Sequence, residues 1–127
     1  MSERTLYEYA VVRVVPRVER EEFVNVGVAL YCKKFRYAEL LFHLDESKLQ
    51  AIYPEVDIAL IERHLESFQK ICAGDKNYGK IANLEQAERF RWLTANRSTI
   101  IQCSPTHIGR CISAEETHKE LMTKLVL

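Results

Sequence analysis

The segment "YEYAVVRVVPRVEREEFVNVGVALYC", Tyr7 to Cys32, decides how this chain folds. Its first part, Tyr7 to Pro16, sets Ala10, Val12 and Val14 on one face and Tyr7, Tyr9, Val11, Arg13 and Val15 on the other. Apolar residues on both sides are what a central strand covered on both faces requires. Arg13 breaks that pattern. A guanidinium so placed needs an acidic side chain or an anionic ligand, because burying its charge alone is costly. The next part, "RVEREEF", is charged and reads as a solvated connection. Phe23 to Cys32 then reads as a second strand, with Val24, Val26, Val28 and Leu30 forming a large aliphatic face and Asn25, Gly27 and Ala29 a small one. Glycine inside a strand marks a bulge, or a place where another backbone or a ligand comes close.

Working outward, "KKFR" (Lys33 to Arg36) closes a hairpin onto "YAELLFH" (Tyr37 to His43), which makes three antiparallel strands. Asp45 can cap a short helix running to Tyr53, and Pro54 ends it. From Asp57 onward Ile58, Ile61, Leu65, Phe68 and Cys72 recur at spacings of three and four, an amphipathic stripe for one sheet face. "AGDKNYGK" (Ala73 to Lys80) is a loop, Leu84 to Thr94 is helical, and "STIIQC" (Ser98 to Cys103) supplies a fourth strand. Ser113 with Glu116 forms a capping box that opens the last helix. The expected order is β-β-β-α-α-α-β-α, and the expected fold is α+β: a single domain over 1–127 whose antiparallel sheet of about four strands carries packed helices.

Composition narrows the function. A chain of 127 residues, 47% apolar and 28% charged, has the length of one domain and the balance of a folded soluble one. Its 18 basic and 18 acidic side chains cancel, which argues against general affinity for nucleic acid or anionic lipid and leaves only local patches. The first ten residues carry charges where an export signal needs an apolar run, and no stretch nears the roughly 20 apolar residues of a membrane span, so a cytoplasmic location is expected. The four cysteines, Cys32, Cys72, Cys103 and Cys111, are expected to be free thiols. No phosphate loop, dinucleotide fingerprint, H-E-x-x-H or kinase signature is present, and no cofactor is implied.

The chemistry concentrates in "ERFRWLTANRSTIIQCSPTHIG", Glu88 to Gly109. On a helical wheel Ala87, Phe90 and Leu93 share one side, Trp92 lies nearly opposite beside Glu85 and Glu88, and Arg89 and Arg91 flank the apolar side. Arg97 and Ser98 follow closely. Guanidinium groups bind phosphate and carboxylate at two points, and an indole offers a stacking face. The plainer alternative is that these arginines pair with Glu85, Glu88 or the acidic loop while Trp92 packs on a neighbouring element. Cys103, His107 and Cys111 have C-x3-H-x3-C spacing, a weak metal signal that would need a distant fourth ligand such as His64 or His118. The competing reading is a turn set by Pro105 and Gly109, with the thiols as small core residues. A cysteine nucleophile based on His107 would need adjacency that spacing does not supply. His43 and His64 read as structural.

Three segments together, Tyr7 to Cys32, Glu88 to Gly109 and the terminal "LVL", resemble the bacterial domain-of-unknown-function family 3037 (DUF3037). The resemblance rests on R-x-x-P, E-F-x-N-V-G-V and R-S-x-x-I-Q-x-S-P-x-H-x-G, and it covers nearly the whole chain. It implies an accessory or partner role, with a HipA-type kinase-like protein as the suggested partner. It also directs attention to Arg13, Pro16, Asn25 and Gly27 in the first half and Arg89, Trp92, Arg97, Ser98, Ser104, Pro105, His107 and Gly109 in the second.

The leading expectation is a non-catalytic binding or adaptor protein. Its cleft, lined by Arg13, Asn25, Gly27, Arg89, Arg91, Trp92, Arg97, Ser98, Ser104 and His107, would hold an anionic partner segment or a phosphorylated, nucleotide-like molecule. The alternative is an enzyme acting on a nucleotide or phosphoester with His107 as acid or base. A third is an oligomer-forming structural component.

Overall fold

A computed structural model describes residues 3–97 and 99–127. Ser98, one of the expected site residues, lies outside the described residues. Five strands form one antiparallel sheet: β1 (Thr5–Val14), β2 (Val24–Cys32), β3 (Tyr37–Phe42), β4 (Ile101–Cys103) and β5 (His107–Cys111). The order is β3-β2-β1, and β4 and β5 share the far side of β1. β4 pairs with Val12–Val14 and β5 with Thr5–Tyr9. Four helices pack on the sheet: α1 (Glu46–Ile52), α2 (Ile58–Ala73), α3 (Gln86–Leu93) and α4 (Ala114–Leu125). The α+β architecture is as the sequence implies. Among the described residues no helix is long and apolar enough to cross a membrane.

The caps set the helix starts. The Asp45, Asp57 and Ser113 side chains accept from the backbone N–H groups of Lys48, Leu60 and Glu116, satisfying donors the helices leave open. Gly74, at φ 82°, ends α2 in the left-handed region that glycine enters without strain.

β1 is central and covered on both faces. Ala29, Tyr31, Val12 and Val14 form the main core with Ile61 and Leu65 of α2 and Phe90 and Leu93 of α3. On the opposite face Val28, Met122 and Val126 cluster, and beside them Leu30, Cys32, Cys111 and Ala114. The second face is thus α4's.

β2 departs from the sequence pattern in one way. The register of β1 against β2 shifts between Val12, opposite Gly27, and Arg13, opposite Asn25. The extra residue is Val26. A bulge of this kind reverses which face the following side chains occupy. Val24 and Val26 therefore join the α2/α3 core, while Val28 and Leu30 lie under α4. The expected single aliphatic face is split. The close approach expected at Gly27 is made by backbone: a Cβ there would come within 2.5 Å of the Leu41 carbonyl oxygen of β3.

The second departure is β5. "CSPTHIGRC" reads as a turn by Pro105 and Gly109, yet its last five residues form a strand. Gly109 pairs with Tyr7, and a Cβ on it would meet the Tyr7 ring at 2.5 Å. The glycine makes room for the tyrosine rather than for a turn. β4 also begins at Ile101, later than Ser98.

Candidate functional site

The sheet divides the expected cleft. Arg89, Arg91, Trp92 and Arg97 lie with α3 on one face, while Arg13, Asn25 and His107 lie on the face covered by α4. Among the described residues the two sets therefore face opposite sides of the sheet.

On the α3 side each arginine has local partners. Arg89 is buried; its Nε donates to the Cys72 carbonyl at 3.2 Å and its Nη1 to the Leu84 carbonyl at 2.6 Å. Cys72 is in the last turn of α2, so the cation satisfies an orphan carbonyl at the negative end of that helix. Arg97 does the same for α3, donating to the carbonyls of Leu93 and Trp92. Its guanidinium also lies 4.5 Å from the Trp92 ring centre. Arg91 makes a two-point ion pair with Glu8 of β1, at 2.9 and 3.2 Å. Trp92 is half-buried and packs edge-on against Phe68 of α2, with centroids 5.8 Å apart. These are neighbouring-element contacts of the plainer kind, although the acidic partner is Glu8 rather than Glu85 or Glu88.

On the α4 side Arg13 stacks over Phe23, 4.3 Å from the ring centre. Its Nε and the Oδ1 of Asn25, directly across the strand pair, are buried without hydrogen-bond partners, while Asn25 Nδ2 donates to the Leu125 carbonyl at the end of α4. A cation near a helix C-terminus is favourably placed by itself, and an anion there would meet the negative end of the helix. His107 is exposed and stacks on Tyr9 at 5.2 Å. Ser104 is buried and structural: its hydroxyl accepts from the Val11 N–H at 2.9 Å and donates to the Pro105 carbonyl. It fills the gap in the ladder where β4 ends and β5 has not begun.

The thiols are free, as expected. Burial pushes the Cys103 thiol up to about 11 even though Arg97 and Arg13 pull it the other way, which leaves little thiolate at neutral pH. Cys103 faces the main core opposite Val12, whereas His107 and Cys111 belong to the other face. Among the described residues no three potential ligands gather to hold a metal ion. His118 is wholly buried, its Nδ1 2.6 Å from the Tyr37 hydroxyl and its Nε2 2.6 Å from the Val28 carbonyl. Since a carbonyl can only accept, Nε2 carries the proton and Nδ1 accepts from Tyr37. That pair of bonds fastens α4 to the sheet.

A groove of about 1290 Å³ opens elsewhere, where β1 begins, β2 ends and α3 starts. Leu6, Tyr31, Ala87 and Ile108 supply apolar lining. Lys33, Lys34 and Arg36 of the β2–β3 hairpin stand on its rim, with Arg89 and Arg91 of α3 also lining it. Against these five cations stand two carboxylates, Glu8 and Glu85. Lys33, Lys34 and Arg36 are exposed and have no ion-pair partner among the described residues. The Gln86 side chain donates to the Arg36 carbonyl at 2.6 Å and so holds the hairpin tip to the start of α3. Of the expected site residues that are described, only Arg89 and Arg91 line this groove. The signal for the rest was present as three cations in the four-residue turn "KKFR", read only as a hairpin closure.

No curated protein and no solved structure matches this chain. The family model described as a protein of unknown function (DUF3037) matches residues 9–126, so nearly the whole sequence, from within β1 through β2 and the α3–β5 stretch to α4, is covered, and the chain belongs to the DUF3037 family.

Proposed function

We propose that this chain is a non-catalytic binding or adaptor protein that holds an anionic ligand in the basic groove between the β2–β3 hairpin and α3. The ligand is an acidic segment of a partner protein or a phosphorylated, nucleotide-like molecule. One observation carries the reading: in a chain of zero net charge, five cations and two carboxylates line one concavity, and the three hairpin cations are not neutralised by neighbours. Local excess charge over an apolar floor attracts and orients an anion. The uncapped N-terminus of α3 at the same place adds the positive end of a helix. The working residues are then Lys33, Lys34, Arg36 and Arg91, with Arg89 as support beneath them. Arg13, Asn25 and His107 lie outside this reading. An enzymatic role for His107 would have Arg13 on its own face but not Arg89, Arg91 or Arg97, which are across the sheet. The HipA-type kinase-like protein implied by the family resemblance is the first macromolecular partner to try.

The test is chemical-shift mapping of the isotope-labelled protein with pyrophosphate, ADP, phosphoserine and an acidic peptide as probes. The expected result is saturable shifts confined to Lys33–Arg36 and the first turn of α3. Shifts centred on Arg13, Asn25 and His107, or no saturable shift with any probe, would remove the proposal.

A further inference from the structure

The two edges of the sheet are not alike. Along β3 the edge is occupied from α2 and α3: Gln69 of α2 donates its side-chain amide to the Leu40 carbonyl at 2.9 Å, and Gln86 of α3 donates to the Arg36 carbonyl at the hairpin. β5 has no such cover. It pairs only with β1, and among the described residues no side chain bonds to its backbone. Natural edges are commonly blunted by charged side chains, proline, a bulge or a covering element, and His107–Cys111 carries a single charge, Arg110, and none of the others. Beside that edge, Ile108 is 71% exposed and Leu6 55% exposed. Ile108 pairs with Glu8 and Arg110 with Leu6, which puts these four side chains on the face where α3 and the groove lie.

We propose that β5 is a docking edge for an extended, acidic segment of another protein, which adds as a sixth strand and lays alternate side chains beside the groove. This inference rests on the basic-groove reading and specifies its occupant. Strand addition gives affinity through main-chain hydrogen bonds and specificity through every second side chain. Here the positions beside β5 meet Ile108, which suits an aliphatic residue, and Arg110, which suits a carboxylate, with Leu6 one strand further in. Farther along the same face stand Arg91 and the hairpin cations. Charge selects the occupant. β5 contains one cation and no carboxylate, so a second copy of this strand would bring like charge to like, whereas an acidic strand is complementary.

The test uses the full chain and a small library of heptapeptides in which every second position, all on one face of an extended strand, alternates Val or Ile with Asp or Glu and the positions between are Thr, each paired with a version N-methylated at alternate residues. The charge is the same in both, but one cannot complete a ladder. Hydrogen exchange is read at every backbone amide, and affinity by titration. The expected result is slowed exchange at His107–Cys111 on binding, a loss of about tenfold or more in affinity on N-methylation, and a similar loss in Ile108→Glu. Equal binding of both versions, with shifts only at Lys33–Arg36, overturns strand addition and leaves the groove reading standing. Binding of pyrophosphate or ADP but of no peptide overturns it likewise. β5 amides that gain protection with protein concentration alone would make a second copy the occupant and overturn it. If no peptide and no small anion binds, both readings fall together.

Discussion

Arg89 and Arg91 sit two residues apart and do unlike work. Arg89 is buried and ties the end of α2 to the start of α3 through two carbonyls, so replacing it leaves those acceptors unpaired in the interior. Arg89→Met is expected to cost about 2–4 kcal/mol, since bonds from charged donors and desolvated acceptors are both lost. Arg91→Met breaks a surface pair with Glu8 and is expected to cost less than about 1 kcal/mol. Urea unfolding of the two variants checks the ranking; equal costs would mean that Arg89 is not the link described. Neither role was legible in sequence. Four arginines near Trp92 and "VVRVV" looked like one cluster because spacing along a chain says nothing about which side of a sheet a residue occupies. Helix C-capping by Arg89 and Arg97 also depends on carbonyls supplied by elements whose ends the sequence places only approximately.

At the scale of elements, the opening segment did define the sheet: the two-sided apolar pattern of β1 and the "KKFR" turn put three strands in order, and the capping residues of α1, α2 and α4 fell where the helices start. What the pattern could not show is the bulge at Val26, because aliphatic residues on both sides of the break preserve the appearance of simple alternation. β5 was hidden for another reason, as Pro105 and Gly109 carry turn signals while the tyrosine that makes Gly109 necessary lies a hundred residues away. The fastening of α4 gives a pH prediction. Burial holds the His118 imidazole neutral, below its usual value of 6.5, although the Val28 carbonyl opposes this. In the unfolded chain the group protonates near 6.5. Its contribution is therefore complete above that value and is lost as pH falls from there through the lower folded-state value, because the unfolded chain then binds the proton first. Thermal unfolding between about pH 7 and about pH 5 should show a falling Tm, and the fall should shrink in His118→Gln. A slope unchanged by the substitution would assign the acid sensitivity to other groups.

For the molecule as a whole, a balanced net charge conceals an unbalanced distribution. The hairpin cations, α3 and the open β5 edge meet at one end of the sheet, where the helices leave the face uncovered, and the opposite face is closed by α4. Arg13, the residue that first suggested a ligand, belongs to the closed side and has Phe23 against it. The direct comparison is a titration of the tightest of the four anionic probes against three proteins whose amide spectra show an intact fold: wild type, Lys33→Met/Lys34→Met and Arg13→Met. Wild type and Arg13→Met should bind alike, while the hairpin variant loses about tenfold or more in affinity and most of its salt dependence. An unchanged hairpin variant together with a loss of binding in Arg13→Met would contradict the account and return the site to the face under α4.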